Sequence, residues 1–176
     1  MINCIGAAYR IRRIHIKTSS EKEGARVDVT QLPFNRLIGL ELAAGDLLVT
    51  LPTGPQHGNH LGTVHASALL AVAEAGSGAF LVGRLGDAVG FVPVVRRLEA
   101  KFRKPAAGRV SARAAVPAGE VERWAAELTA RGRVLAAVPV EVVEAAGVVV
   151  LSAIVEWFIV RAAPDAEPNA AADGGA

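Results

Sequence analysis

The stretch that decides the fold is Thr63-Val-His-Ala-Ser-Ala-Leu-Leu-Ala-Val-Ala-Glu-Ala-Gly-Ser-Gly-Ala-Phe-Leu-Val-Gly-Arg-Leu85. It has no proline and is mostly Ala, Leu and Val, so it predicts a helix about 30 Å long with Thr63 as its N-cap residue. A helix that is apolar nearly all round is typical of a buried helix. Because glycine inside a helix costs about 1 kcal/mol relative to alanine, Gly76 and Gly78 indicate that another element approaches the helix closely. A strongly curved sheet wrapped around it would satisfy both demands.

The segments on either side of this helix predict that sheet. Before the helix, residues 33–39 suggest a short helix and residues 40–51 a strand, with a turn or bulge at Gly45-Asp46. After it come four strand-like runs, which cover residues 91–104, 109–116, 134–144 and 148–161. A helix over residues 120–131, ended by Gly132, interrupts them. One strand, a long helix and four more strands predict an α+β fold with an antiparallel sheet rather than alternating βαβ units.

Length and composition predict one domain, because the chain has 176 residues and 52% of them are hydrophobic. We place this domain at residues 32–162, after an N-terminal extension (an arm or disordered) at 1–31 and before a disordered tail at 163–176. A net charge of +2 gives no reason to expect nucleic acid. The single cysteine, Cys4, cannot form an intrachain disulfide, which favours a reducing compartment. With no signal-peptide order and no apolar run of about 18 residues, we expect a cytoplasmic protein without a membrane span.

The predicted central helix carries one carboxylate, Glu74, which is the only charged residue between Thr63 and Gly83. Burial of a carboxylate is costly and raises its pKa, which is frequent at functional sites. A structural hydrogen bond to a neighbouring loop is the alternative. The helix start adds unpaired N–H groups and the positive end of the dipole, which can stabilise the oxyanion formed when a thioester is attacked. His65 and Ala66 lie at this start.

Two motifs carry a resemblance to a known family. Asn59, Gly62, His65 and Glu74 follow the pattern N-x-x-G-x-x-H-[GA]-x(7)-[DE], and Phe102-Arg-Lys-Pro-Ala-Ala-Gly108 is similar to Y-x-x-P-A-x-G. Over residues 33–162 the chain therefore resembles hotdog-fold acyl-CoA thioesterases of the phenylacetate-pathway type and their uncharacterised relatives. The resemblance implies the hotdog fold, in which a curved antiparallel sheet of five to six strands wraps a long helix. It also implies a homodimer or a dimer of dimers with the active site between protomers.

The resemblance assigns roles to the motif residues. Asn59 would hold the nucleophilic water or the thioester, and the backbone N–H of Ala66 would bind the thioester oxygen. Glu74, from the opposite protomer, would act as general base or nucleophile, while His65 would shape the helix start. The substrate would be an acyl-CoA, with no cofactor besides its CoA moiety. The expected substrate contacts are His60, Gly62, Ser67, Arg103 and Lys104.

The basic end of the 91–104 strand has two interpretations. Its Arg and Lys side chains suit the phosphates of CoA. Alternation with Leu98, Ala100 and Phe102 instead suggests a solvated strand face with Glu99 as the local counter-charge. Two departures from the family pattern also stand out. Ala66 replaces the usual glycine, and residues 92–95, Val-Pro-Val-Val, replace a Ser or Thr that several members carry after the helix.

Other functions compete with hydrolysis. A 3-hydroxyacyl thioester dehydratase of one hotdog group pairs a histidine with a carboxylate fourteen residues later, as His60 and Glu74 are spaced, although its F-P-G-x-P sequence is absent. A non-catalytic acyl-CoA-binding module is the other alternative. We expect no metal site, because His57, His60 and His65 lack a convergent ligand set and more often hydrogen-bond to backbone. The acyl group and the choice between dimer and tetramer stay open at this point.

Overall fold

The computed structural model describes residues 27–85 and 91–161. Of the predicted N-terminal extension at 1–31, residues 1–26 lie outside the described range, as does the whole of the predicted tail at 163–176. The described part contains α1 (Pro33–Leu37), β1 (Glu41–Leu42), β2 (Val49–Leu51), α2 (Ala66–Leu85), β3 (Phe91–Phe102), β4 (Val110–Ala114), α3 (Glu120–Arg131), β5 (Arg133–Glu144) and β6 (Val149–Arg161). Its six strands form one antiparallel sheet in the order β1-β2-β4-β5-β6-β3. The sheet packs on α2, so the predicted hotdog architecture is confirmed.

Two local predictions need correction. The strand expected over residues 40–51 is a hairpin of β1 and β2. The turn expected at Gly45-Asp46 is confirmed, because the chain reverses through Gly45, whose φ is +73°. Helix α2 begins at Ala66 rather than near Thr63. The residue that caps it is His65, whose Nδ1 accepts a hydrogen bond from the N–H of Ser67 at 3.1 Å.

Helix α2 is also long and apolar enough to cross a membrane by length and composition, contrary to the expectation from run length. A core helix passes the same test, and Val72, Ala73 and Gly76 of α2 are buried. The end of α3 is as predicted. Gly132 takes φ +65°, and its N–H donates to the carbonyl of Leu128 at 2.8 Å.

The two inner glycines of α2 differ in what approaches them. A Cβ added at Gly76 would overlap the Cβ of Ala112 on β4, whereas one added at Gly78 would touch the ring of Trp157 on β6 at 3.5 Å. The prediction that another element approaches this helix closely is confirmed. The sheet reaches the helix backbone at Gly76, and this contact fixes the separation of the two layers.

We expect Gly76→Ala to destabilise the fold by about 1–3 kcal/mol, because overpacking forces shifts in a close-packed interior. Urea unfolding measures the change. Gly83→Ala is the matched control in the same helix, since a Cβ there meets no atom of the described residues within 4 Å. It should gain up to about 1 kcal/mol in helix propensity. Adding Ala112→Gly to Gly76→Ala should restore part of the loss. Equal stability of Gly76→Ala and Gly83→Ala would contradict the close approach.

Candidate active site

A loop over residues 59–63 leads into α2, and Asn59 closes it. The Oδ1 atom of Asn59 accepts from the N–H groups of Leu61 (2.9 Å) and Thr63 (3.1 Å), and its Nδ2 donates to Oγ1 of Thr63 at 2.9 Å. The backbone of Asn59 also donates to the carbonyl of Thr63 at 2.9 Å and accepts from the N–H of Gly62 at 3.1 Å. Gly62 takes φ +75°, a conformation that favours glycine. The N-x-x-G part of the motif is therefore a compact loop.

These hydrogen bonds limit what the Asn59 side chain offers a ligand. An amide oxygen has two lone pairs, and both face backbone N–H groups of the loop. The amide nitrogen has two protons, and among residues 27–85 and 91–161 only one of them is bonded, to Thr63. Asn59 can thus donate one hydrogen bond to a ligand. Its oxygen is not available to accept one from a water molecule.

His57 supports the segment before this loop through hydrogen bonds to backbone. Its ring is buried, with Nδ1 accepting from the N–H of Gly54 at 3.1 Å and Nε2 2.8 Å from the carbonyl of Ile38. Since Nδ1 accepts, Nε2 carries the proton and donates. The carbonyl of His57 in turn accepts from the N–H of His65 at 2.7 Å. The expectation that histidines here bond to backbone holds for His57 and His65.

The start of α2 offers an unused donor. The N–H of Ser67 bonds to the His65 ring, and those of Ala68 and Leu69 bond to the carbonyl of His65 at 3.0 and 3.2 Å. Within residues 27–85 and 91–161, no hydrogen bond engages the N–H of Ala66. This N–H lies at the positive end of a 20-residue helix. It is suited to an anionic oxygen.

A cleft of about 300 Å³ joins this helix start to the end of β3. The N–H of Val64 donates to the carbonyl of Ala106 at 2.8 Å, which holds the two motifs side by side. The cleft is lined by apolar residues and by two basic side chains, Arg103 and Lys104. Its lining is Asn59, Thr63, Val64, Ala66, Leu69, Phe102, Arg103, Lys104, Pro105 and Ala106. Residues from the start of the first motif and from the second motif, which lie more than 30 positions apart in the chain, thus line one cleft.

The turn after β3 is held by a carboxylate of β5. Oε1 of Glu144 accepts from the N–H of Ala107 at 2.7 Å, and Gly108 takes φ +91°. A second cleft of about 490 Å³ lies between this turn and the loop before α2. Its lining includes Thr53, Gly54, Gly62 and Gly108 as well as Asn59, Thr63 and Val64, which it shares with the first cleft. The loop 59–63 is therefore the wall between two open clefts.

Glu74 lies two turns further along α2 and is half-buried. Burial raises the pKa of its carboxyl above the ordinary value of 4.5. Within the part of the chain that the structure describes, its carboxylate has no hydrogen bond or ion pair, and it lines neither cleft. The eight residues from Ala66 to Glu74 correspond to about 12 Å along the helix axis. Within one chain, Glu74 is thus far from the Ala66 N–H.

The basic residues of the β3 end divide into two groups. Arg97 pairs with Glu99 at 2.9 Å and with Glu156 at 3.6 Å, and Arg109 lies 3.8 Å from Glu41. Glu99 is therefore not the only counter-charge, and the solvated-face interpretation fits these two arginines. Arg103 and Lys104 instead line the first cleft, where Nε of Arg103 donates to Ser152 Oγ at 3.2 Å.

Three predicted substrate contacts lie apart from the first cleft. His60 is exposed at the loop tip and lines neither cleft, and Ser67 is exposed in the first turn of α2. Gly62 lines only the second cleft. Asn59, Ala66, Arg103 and Lys104 are the predicted residues that the fold brings together in the first cleft.

A family match covers most of this domain. The profile described as "Domain of unknown function (DUF4442)" matches residues 35–159. The chain belongs to this family, which is of hotdog type. No curated protein matches the chain significantly.

Solved structures share the fold. A Pseudomonas aeruginosa protein of unknown function, described as a probable thioesterase, is 23% identical with a TM-score of 0.63, over 76% of this chain and 91% of that one. A Haemophilus influenzae thioesterase is 17% identical with a TM-score of 0.61, over 78% and 90%. A Bacillus halodurans protein crystallised with CoA is 21% identical with a TM-score of 0.56, over 72% and 75%. At these identities the likeness concerns the hotdog fold.

Proposed function

We propose that this DUF4442 chain is an acyl-CoA thioesterase that hydrolyses an acyl thioester to a free acid and a thiol. The observation that carries the proposal is the first cleft, where the unused N–H of Ala66 meets the basic end of β3. An oxyanion needs such a donor, and CoA phosphates need cations such as Arg103 and Lys104. The thioesterase and CoA-bound relatives with this fold support the same substrate class.

In the proposed reaction, Glu74 of one copy of the chain acts on a thioester held at the start of α2 of another copy. The Glu74 carboxylate takes a proton from water, and the water oxygen bonds to the thioester carbon. The negative charge that develops on the carbonyl oxygen is met by the Ala66 N–H and by the free proton on Asn59 Nδ2. Collapse breaks the C–S bond, and the thiolate takes the proton from Glu74. The saturated oxygen of Asn59 makes it a donor to the substrate rather than a holder of the attacking water.

We propose that the active enzyme contains at least two copies. Reacting groups must come within about 3.5 Å of one another. The axial separation of about 12 Å keeps Glu74 of one chain from the oxyanion site of the same chain. A second copy joined through β3, which lies at one edge of the sheet, would bring its own Glu74 to that site. Val92 and Val94 on this edge strand are exposed, which suits such a contact.

Incubation with a panel of acyl-CoAs, with free thiol followed over time, tests the function. Hydrolysis releases one thiol for each acyl group. Loss of enoyl absorbance without thiol would identify a hydratase instead, and saturable binding with neither would identify a binding module. The absence of thiol release across short, long and aromatic acyl groups would refute the thioesterase proposal. The position of His60 outside both clefts gives the hydratase alternative no support.

A further inference from the structure

A buried hydrogen-bond chain connects β6 to the helix turn that carries Glu74. Nε1 of Trp157 donates to Oγ of Ser77 at 2.9 Å, and the Ser77 hydroxyl donates to the backbone carbonyl of Glu74 at 2.7 Å. Ser77 is fully buried and Trp157 nearly so. An indole N–H can only donate, so the single hydroxyl proton of Ser77 must go to Glu74. The direction of both bonds is therefore fixed.

The same turn is packed against strands on two sides. Gly76 lies against Ala112 of β4, and Gly78 leaves room for the Trp157 ring, whose carbons are 3.5 Å from the position of an added Cβ. The carboxylate of Glu74 has no partner of its own within the described residues. Its position is consequently determined by the backbone of this turn. The turn is located by packing at Gly76 and Gly78 and by the hydrogen bonds of Ser77.

We infer that Ser77 and Trp157 are positioning residues, which set how deep the Glu74 carboxylate lies and at what angle it leaves the helix. The inference rests on the proposed function. A displacement of about 1 Å at a reacting group can cost about 10²-fold in rate. Loss of the Ser77 bonds would let the 74–77 turn shift away from β6. The carboxylate would then be better hydrated and less well aligned.

The test uses Ser77→Ala and Trp157→Phe, the second of which keeps an aromatic ring but removes the N–H. Thr129→Ala is the matched control, because Oγ1 of Thr129 makes the same kind of helix bond, to the carbonyl of Ala125 at 2.9 Å, on exposed α3. For the first two variants we expect kcat to fall about tenfold or more with little change in KM. The acid limb of the rate profile should move to lower pH. The control should change neither.

A second measurement does not depend on turnover. In protein with ¹³C-labelled glutamate, the Glu74 carboxyl resonance is assigned by its absence in Glu74→Gln and titrated with pH. A titration midpoint lowered in Ser77→Ala or Trp157→Phe supports the inference. Folded variants with wild-type kcat and an unchanged midpoint would overturn it.

The two proposals fail in different ways. Thiol release that requires Glu74 but tolerates both substitutions would leave the thioesterase proposal intact and remove the positioning role. No thiol release by the wild-type chain would remove the thioesterase proposal, and the carboxyl titration alone would then decide the positioning role. If one variant does not fold, the other carries the same comparison.

Discussion

Glu74→Gln should lower the turnover of acyl-CoA by about 10² or more and leave the fold intact, because glutamine cannot take a proton from water. The substitution is nearly isosteric and removes the cost of a half-buried charge rather than adding one. Steady-state thiol release measures kcat and KM. We expect the loss in kcat, since the carboxylate acts on the reacting atoms rather than on the CoA moiety.

The matched control is Glu122→Gln, which changes an exposed carboxylate of α3. It should retain wild-type rates. A folded Glu74→Gln protein with nearly full turnover would exclude the general-base role. The pH profile adds a second check. Because burial raises the pKa of Glu74 above 4.5, the rate should increase with pH through that raised value, and Glu74→Gln should lack this limb.

The raised pKa also predicts how stability depends on pH. The folded chain keeps the Glu74 proton to a higher pH than the unfolded chain does, so the folded state binds more protons between the two pKa values. The contribution of Glu74 to the free energy of unfolding is therefore lost as pH rises through the folded pKa. Glu74→Gln should be at least as stable as wild type at neutral pH. The difference in the free energy of unfolding between the two chains should vanish below the ordinary carboxyl pKa.

The sequence correctly predicted the elements that have a clear apolar pattern or that end at a distinctive residue. The long apolar run predicted α2, and Gly132 correctly predicted the last residue of α3. The sequence predicted the turn at Gly45-Asp46 but not two separate strands, because β1 has only two residues, too few for alternation to show. The helix start was misplaced because Thr63 is a common N-cap residue. In the structure its N–H and hydroxyl bond instead to Asn59, and the His65 ring caps the helix.

The site was only partly predictable for a related reason. Residue spacing along a helix indicated that Ala66 and Glu74 share α2, but the joining of the helix start to Lys104 depends on a tertiary hydrogen bond from Val64 to Ala106. The role of Asn59 depends on the two loop N–H groups from which its amide oxygen accepts hydrogen bonds. His57 gave no periodic signal, since its partners, Gly54 and Ile38, lie in loops. Such contacts are set by the folded geometry and have no fixed sequence spacing.

Ala66→Pro should lower kcat by about 10²–10³ because it deletes the backbone N–H that we assign to the oxyanion. Ala66 is the first residue of α2, where proline is favoured and its missing N–H breaks no helical bond. The preceding His65 is the cap residue, and cap residues typically have an extended backbone, which is compatible with a following proline. Circular dichroism and urea unfolding should therefore show a folded chain.

Ala66→Gly is the control, because it keeps the N–H and restores the residue usual in the resembling family. Its kcat should not fall, because the oxyanion donor is retained. An Ala66→Pro chain that hydrolyses at the wild-type rate would exclude this donor. If Ala66→Gly fell as far as Ala66→Pro, side-chain packing rather than the N–H would explain the loss.

Mixing the two inactive chains tests whether the site is shared between copies. In a two-fold dimer of one Glu74→Gln chain and one Ala66→Pro chain, one composite site carries both defects and the other carries neither. Random pairing should thus restore about a quarter of the wild-type rate. If Glu74 and Ala66 acted within a single chain, every site in the mixture would keep one defect. The mixed sample would then be no more active than the two variants measured apart. That result would contradict the proposed assembly, which rests on the axial separation of about 12 Å between Glu74 and Ala66 within one chain.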